Sequence, residues 1–404
     1  MMKPEELLEY NEFIADGAQY LPGSFNELAK LLHDAKNSSK KLKVKLGIDP
    51  TSTDLHFGHT VCLHFLRKFQ EHGHIPNLII GDFTATVGDP SGRNEARPPL
   101  TLEQARENAE TYLNQVHKIL DKNKTKIFYN SEWLSKLSSV KLLELAHLVT
   151  VNQLIGKEAF GVRIEKGEPL FLHEALYPLL QGYDSIAIDA DIEIGGIDQT
   201  FNVLFGRHIQ KCYGKKEQFV LLLPLLIGLD GKKKMSKSFN NHIALNDPPN
   251  EIYGKAMSIP DELIFHYLKL VSTFKADELF SYEKELNNQN TNPRDIKMIL
   301  AYNLVEQLHG SKVAGESRDA FIKQFRMNEL PENINEFSLK EPLKVIDLMY
   351  ASKLVPSKAE AKRLIEGGGV KLSSAKIADP NLLITVKDKN SVLQIGKRKF
   401  LKIV

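Results

Sequence analysis

Between Lys43 and Asp89 the chain reads as strand, helix, strand: "KVKLGI" (Lys43 to Ile48), then "HTVCLHFLRKFQEHGH" with apolar residues at helical spacing, then "NLIIGDFTATVGD" with a glycine-rich exit. Near-continuous apolar runs joined by an amphipathic helix fold as a parallel β-α-β unit, because each strand is covered on both faces. Strand candidates return at "SIAIDADIEIGG" and "FVLLLPLLIGL", with helical patterns between. The expected body is therefore an α/β fold with a doubly wound, Rossmann-like parallel sheet. Ligands of such sheets sit at the carboxyl ends of strands, where the chain departs for a helix. The main motifs of the body fall at such exits.

The residues around this sheet set further expectations. From Trp133 to Arg163 the pattern predicts helices inserted between two halves of the sheet, and after Asn250 it turns wholly helical. "MNELPENINEFSLKEP" reads as a linker, being polar with two prolines and three asparagines. The expected organisation is a catalytic body over 1–231 carrying the inserted helices, a lysine loop and helical domain over 232–326, a linker over 327–341, and a small α+β domain over 342–404. A chain of 404 residues has length for two or three domains. From 341 onward there are 13 Lys and Arg against 6 Asp and Glu, leaving 40 against 45 before it, so a basic tail domain follows an acidic body. That segregation fits a polyanion partner, and equally a solvated lysine-rich surface.

Two cysteines, Cys62 and Cys212, do not suggest a disulfide framework or a zinc cluster and point to a reducing compartment. The amino-terminal "MMKPEELLEY" lacks the apolar core of a signal peptide. The longest apolar run, Phe219 to Leu229, is too short to span a bilayer, so the expectation is a cytoplasmic protein without membrane attachment.

In "GIDPTSTDLHFGHT", His56 and His59 stand three residues apart at a strand-to-helix junction. Placed on the first helical turn they share a face with backbone N–H groups that have no intrahelical partner, an arrangement that attracts anions. Gly58 leaves room for a flat ring against the backbone. A metal site or two solvent-facing histidines are the alternatives; no nearby glutamate completes a zinc-protease pattern, and no metal is expected. A second signal, "GLDGKKKMSKSFN", sets lysines among glycines and serines after an apolar strand, as a mobile cationic loop or a solvated basic turn.

"HFGH" followed by "KMSKS" resembles the paired signature of the class I aminoacyl-tRNA synthetases, with Phe57 where an aliphatic residue is commonest. "GDPSGR" (Gly88 to Arg93), "YPLLQGYD" (Tyr177 to Asp184) and "GGIDQTFN" (Gly195 to Asn202) are similar to segments of the tyrosyl-tRNA synthetases, so the resemblance runs across nearly the whole chain. It implies ATP-dependent attachment of L-tyrosine to tRNA(Tyr), through a tyrosyl-adenylate with release of pyrophosphate. ATP enters with Mg2+ as a substrate complex, the ion held mainly by phosphate oxygens and water; no tightly bound prosthetic group is implied.

The resemblance assigns His56, His59, Lys234 and Lys237 to the charge growing on pyrophosphate, with Arg93 and Arg97 as further cations. It places Gly47, Asp49, Thr51, Gly58, Gly196, Asp198 and Lys237 at ATP. Tyr177, Gln181 and Asp89 are assigned to the tyrosine ammonium, Asp184 to its phenol hydroxyl, and Gln199 to its carboxylate or the α-phosphate. Lys45 stands where many members carry a tyrosine that donates to the substrate hydroxyl, and is expected either to donate there or to point elsewhere; Glu193 stands where an amide is common. The segment from Ser357 to Ile377 resembles an RNA-binding module of the small ribosomal subunit, with Lys358, Lys362, Arg363 and Lys371 facing phosphates. A homodimer through the inserted helices is implied as well. Three rivals remain: a nucleotidylyltransferase sharing the histidine motif, a tryptophanyl-tRNA synthetase, and an RNA-binding protein on an inactive synthetase body.

Overall fold

A computed structural model describes residues 3–90, 100–155, 158–288, 291–326, 334–339, 341–373, 375–396 and 399–404. The chain divides into two compact units, Met1–Ala314 and Gly315–Val404.

The elements that frame the first unit are, in order, β1 (Gln19–Leu21), β2 (Lys43–Ile48), α1 (Phe57–Glu71), β3 (Ile75–Ile80), α2 (Asp82–Val87), β4 (Lys126–Tyr129), α3 (Leu172–Ala187), β5 (Ile192–Gly196), α4 (Thr200–Cys212) and β6 (Phe219–Leu223). Six strands form one sheet in the order β1-β6-β5-β2-β3-β4. The five from β6 to β4 run parallel, and β1 joins the edge antiparallel. From β2 the chain steps to β3 and β4 on one side and later to β5 and β6 on the other. The order therefore reverses between β2 and β5, the place where such sheets open a crevice. Leu46, Leu78, Ile80, Ile192, Ile194 and Leu221 are all buried in this sheet, as expected when helices cover both faces.

Several expectations shift. "SIAIDADIEIGG" is two elements: Ser185 to Ala187 close α3, and only Ile192–Gly196 is strand. The apolar run from Phe219 stops being strand at Leu223, where Pro224 cannot donate to a ladder. After β3 the exit winds into α2 instead of remaining a glycine-rich loop. The inserted region does contain helices, at Ser131–Leu134, Ser139–His147, Val151–Ile155 and Glu158–Glu165. After residue 248 the first unit is helical, with Pro249–Ala256, Ile264–Val271 and Ala276–Leu286; the helix Pro293–Arg326, interrupted at Gly310 (φ 81°), begins in this unit and ends in the second.

In the second unit, helices Val345–Ala351 and Lys358–Glu366 pack their apolar residues with strands Val370–Leu372, Val392–Ile395 and Lys399–Ile403 around one core. Part of the expected linker is ordered into this sheet: Asn335–Phe337 pairs in parallel with Lys399–Ile403.

Candidate active site

A cavity of about 530 Å³ opens at the carboxyl ends of β2 and β5, a size that suits a small-molecule site. Fifteen of the expected residues line it: Gly47, Asp49, Thr51, His56, Gly58, His59 and Asp89, then Tyr177, Gln181 and Asp184, then Gly196, Asp198 and Gln199, and last Lys234 and Lys237. Arg93 and Arg97 lie outside the described residues.

The histidines are fixed by the head of α1. His56 is the N-cap with extended backbone, and its Nδ1 accepts from the Gly58 N–H at 3.2 Å. The His56 N–H in turn reaches His59 Nδ1 at 3.1 Å. Both Nδ1 atoms thus act as acceptors, so in the neutral rings the proton sits on Nε2. The rings lie 4.0 Å apart. Burial pushes His59 down to about 4 and His56 well below its ordinary value, the second imidazole and the lysines adding to it. At neutral pH the pair therefore offers two neutral N–H donors to an anionic guest. The space beside Gly58 is taken by the His56 ring, where an added Cβ would come within 2.9 Å, so this glycine first of all seats its neighbour's imidazole. Gly47 by contrast faces open space, while at Gly196 a Cβ would meet Asp198 and Leu225.

The two motifs meet because the chain after the lysines returns to the head of α1. Phe57 N–H donates to the Ile243 carbonyl at 3.1 Å, and Leu245 N–H to that of Leu55 at 2.9 Å. The lysine segment is closed at its base by buried Asn241, which accepts from Ser236 N–H at 2.8 Å and donates to the Lys234 carbonyl at 3.1 Å and to Asp230 at 3.0 Å. Lys234 Nζ reaches Asp198 at 2.6 Å, and Lys237 Nζ reaches Ser52 at 3.2 Å and Asp54 at 3.6 Å. Burial holds the Lys237 ammonium below its ordinary value, with Asp54 opposing. These part-exposed pairs are weak enough to exchange for phosphate oxygens.

Deeper in, Tyr177, Gln181 and Asp184 project from one face of α3, as their i, i+4, i+7 spacing predicts. Tyr177 donates to Asp49 at 2.9 Å, and Thr84 to the other Asp49 oxygen at 2.8 Å. Asp184 accepts from Trp133 Nε1 at 2.8 Å and Asn130 Nδ2 at 3.3 Å. Burial raises its carboxyl to about 6, against the pull of Lys45 and these two donors. Asp89 accepts from Gln199 at 2.8 Å and Asn202 at 3.3 Å. Sequence reasoning missed Trp133, Asn130, Thr84, Asn202 and Asn241. Of these Thr84 and Asn202 lay inside quoted stretches, and nothing in the spacing of the rest signals the cavity.

Lys45 is the correction. It does not line the cavity and is fully buried. In the β2–β5 register it stands directly beside Glu193, and its ammonium is engaged by Glu193 Oε1 at 2.9 Å, Ser185 Oγ at 2.8 Å and the Gln181 carbonyl at 2.9 Å. A lysine in a buried strand has no water to turn to, so the adjacent carboxylate claims it before any ligand can.

On the second unit, Lys358, Lys362 and Arg363 are exposed on one short helix and Lys371 on the following strand. Lys358 pairs with Asp347 at 2.7 Å, Lys362 with Glu366 at 3.8 Å and Arg363 with Glu360 at 2.7 Å. Among the described residues no helix is long and apolar enough to cross a membrane, and no group of three or more His, Cys, Asp and Glu is arranged to hold a metal.

The family described as tRNA synthetases class I (W and Y) matches residues 36–326. The chain is 46% identical over 364 residues to the tyrosine–tRNA ligase of Thermotoga maritima, covering 90% of each. It is 43% identical to that of Carboxydothermus hydrogenoformans, covering 100% of this chain and 99% of the other. Among solved structures, its fold is similar to a tyrosyl-tRNA synthetase from Archaeoglobus fulgidus complexed with L-tyrosine, with TM-score 0.61 and 22% identity over 78% of this chain and 98% of that one. It also resembles a C-terminally truncated mitochondrial tyrosyl-tRNA synthetase from Aspergillus nidulans, with TM-score 0.65 and 22% identity over 79% and 93%.

Proposed function

Because this chain belongs to the tyrosyl-tRNA synthetases, class I enzymes that attach tyrosine to tRNA, we propose that both substrates of the first step meet in the cavity between β2 and β5. The observation that carries this reading is the convergence of His56, His59, Lys234 and Lys237 on the same space as Tyr177, Gln181 and Asp184.

A tyrosine carboxylate oxygen forms a bond to the α-phosphorus of ATP while the bond to the bridging oxygen of pyrophosphate breaks, and the leaving group takes the electron pair. No protein nucleophile is needed. The Nε2–H donors of His56 and His59 and the ammonium groups of Lys234 and Lys237 stabilise charge that grows on the leaving phosphates. Lys234 must release Asp198, and Lys237 must release Asp54, to do so. Each exchange strengthens as negative charge builds, which favours the transition state over bound ATP. Asp49 and Asp198, with Gly47 open beside them, suit the ribose and the nucleotide backbone. Tyr177, Gln181 and Asp89 serve the ammonium, Asp184 the phenol hydroxyl, and Gln199 the carboxylate. Phenylalanine is rejected because it leaves a buried carboxylate without its donor; this discrimination by tyrosyl-tRNA synthetases is a standard worked case of that principle. Mg2+ enters with ATP as part of the substrate.

The second step transfers tyrosyl to the 3′ end of tRNA(Tyr) with release of AMP. Lys358, Lys362, Arg363 and Lys371 form the phosphate-facing surface of an RNA-binding module; the ion pairs of the first three are exposed and weak, so RNA phosphates displace them. The exposed apolar residues Val140, Leu143, Val151 and Leu172 support a homodimer through the inserted helices, and we place the enzyme in the cytoplasm. The test is amino-acid-dependent exchange of labelled pyrophosphate into ATP across all common amino acids. Exchange with tyrosine and not with tryptophan or phenylalanine is expected; exchange driven by another amino acid, or none, contradicts the reading.

A further inference from the structure

We infer that the buried Lys45–Glu193 ion pair is a positioning device for the amino-acid subsite, one that sets which end of the Gln181 amide faces the substrate ammonium. Glu193 is buried, with one oxygen taking Lys45 at 2.9 Å and the Gln181 Nε2 at 3.3 Å. Its other oxygen accepts from Ser185 Oγ at 3.2 Å and from Gln218 Nε2. An ionised carboxylate can only accept, so it binds the NH2 end of Gln181 and excludes the flipped amide. The carbonyl end of Gln181 is thereby left toward the cavity, which is the end an ammonium requires. Lys45 has two tasks in this arrangement. It sets the opposite charge that a buried carboxylate needs 2.9 Å from Glu193, and through the Gln181 carbonyl and Ser185 it fixes the turn of α3 that carries both Gln181 and Asp184.

The inference rests on Gln181 meeting the tyrosine ammonium, and the experiment separates the two. Trp133 is the single tryptophan of the chain and donates to Asp184 at 2.8 Å, so its fluorescence reports occupancy of the subsite in the full-length protein. Tyrosine and its deaminated analogue, hydroxyphenylpropionate, are titrated into the parent, Gln181→Ala, Glu193→Gln and Lys45→Met/Glu193→Met, the last removing both charges together so that neither is stranded. The double variant is expected to bind tyrosine about tenfold more weakly while the analogue, which has no ammonium, changes by less than about twofold. Glu193→Gln, which keeps the side-chain shape but can accept either amide orientation, shifts the same way by about threefold and decides the matter if the double variant fails to fold. Equal losses for both ligands, or no loss for tyrosine, overturn the positioning role. If Gln181→Ala itself leaves tyrosine binding unchanged, the assignment of Gln181 to the ammonium falls instead.

Discussion

At the scale of single residues, the site works through groups whose protonation is set by burial. Asp184 is the sharpest instance, because its carboxyl is raised from 3.8 to about 6 by desolvation. With the folded value above the ordinary one, its contribution to stability is full below 3.8 and is lost as pH rises through about 6; the enzyme holds an ionised acceptor at neutral pH at some cost in stability. Below about 6 the carboxyl takes up a proton and ceases to be the pure acceptor that the proposed contact with the phenol needs. The KM for tyrosine is therefore expected to rise severalfold between about pH 7.5 and pH 5 while the KM for ATP does not follow, and Asp184→Asn is expected to abolish that difference. A flat KM for tyrosine over this range contradicts the assignment. The neighbouring charges Lys45 and Glu193 act on Asp184 in opposite senses. The sequence offered Asp184 as a candidate but not its surroundings: "VKLGI" and "IEIGG" each show one charge in an apolar run, and only the β2–β5 register reveals that the two charges are partners.

At the scale of elements, α3 and α4 support the proposed amino-acid subsite, and they approach through Gly182 and Gly206. A Cβ on Gly206 would meet Gln218 Nε2 at 3.0 Å and both Glu193 Oε2 and Ser185 Oγ at 3.3 Å. Those atoms belong to the network around Lys45 and have little room to give. Gly206→Ala should thus lose about 1–3 kcal/mol of stability despite its better helix propensity and weaken tyrosine binding more than ATP binding, measured by denaturant unfolding and steady-state kinetics; a gain in stability would show the network to be slack. How much of this level could be read beforehand depended on burial. Strands β2, β3 and β6 are apolar runs because helices cover both faces, and they stood out in the sequence. The edge strand β1 has three residues and no pattern to betray it. The end of α3 imitated a strand, since "SIAI" is as apolar on a helix as on a sheet. The pairing of residues 243–245 with the head of α1, which brings the two motifs together, follows from tertiary contact alone.

For the whole molecule, the cavity belongs to the unit Met1–Ala314 and the basic helix proposed to meet RNA to Gly315–Val404. A chain ending at Arg326 should retain tyrosine-dependent pyrophosphate exchange within about twofold and lose about tenfold or more in tRNA charging, with a shallower dependence on salt, because the lost contacts are to phosphates. Unchanged charging would remove the second unit from RNA recognition. The charge segregation between body and tail was visible in the sequence, and so was the order of the two motifs; their meeting in one cavity was an expectation that only coordinates could address. That meeting is most directly tested by tyrosine-dependent pyrophosphate exchange of the Lys234→Ala and Lys237→Ala enzymes, with kcat separated from the KM for ATP. The account predicts a fall in kcat of about a hundredfold or more with the KM for ATP changed only a few fold. Turnover equal to the parent's, or a loss confined to KM, would contradict it.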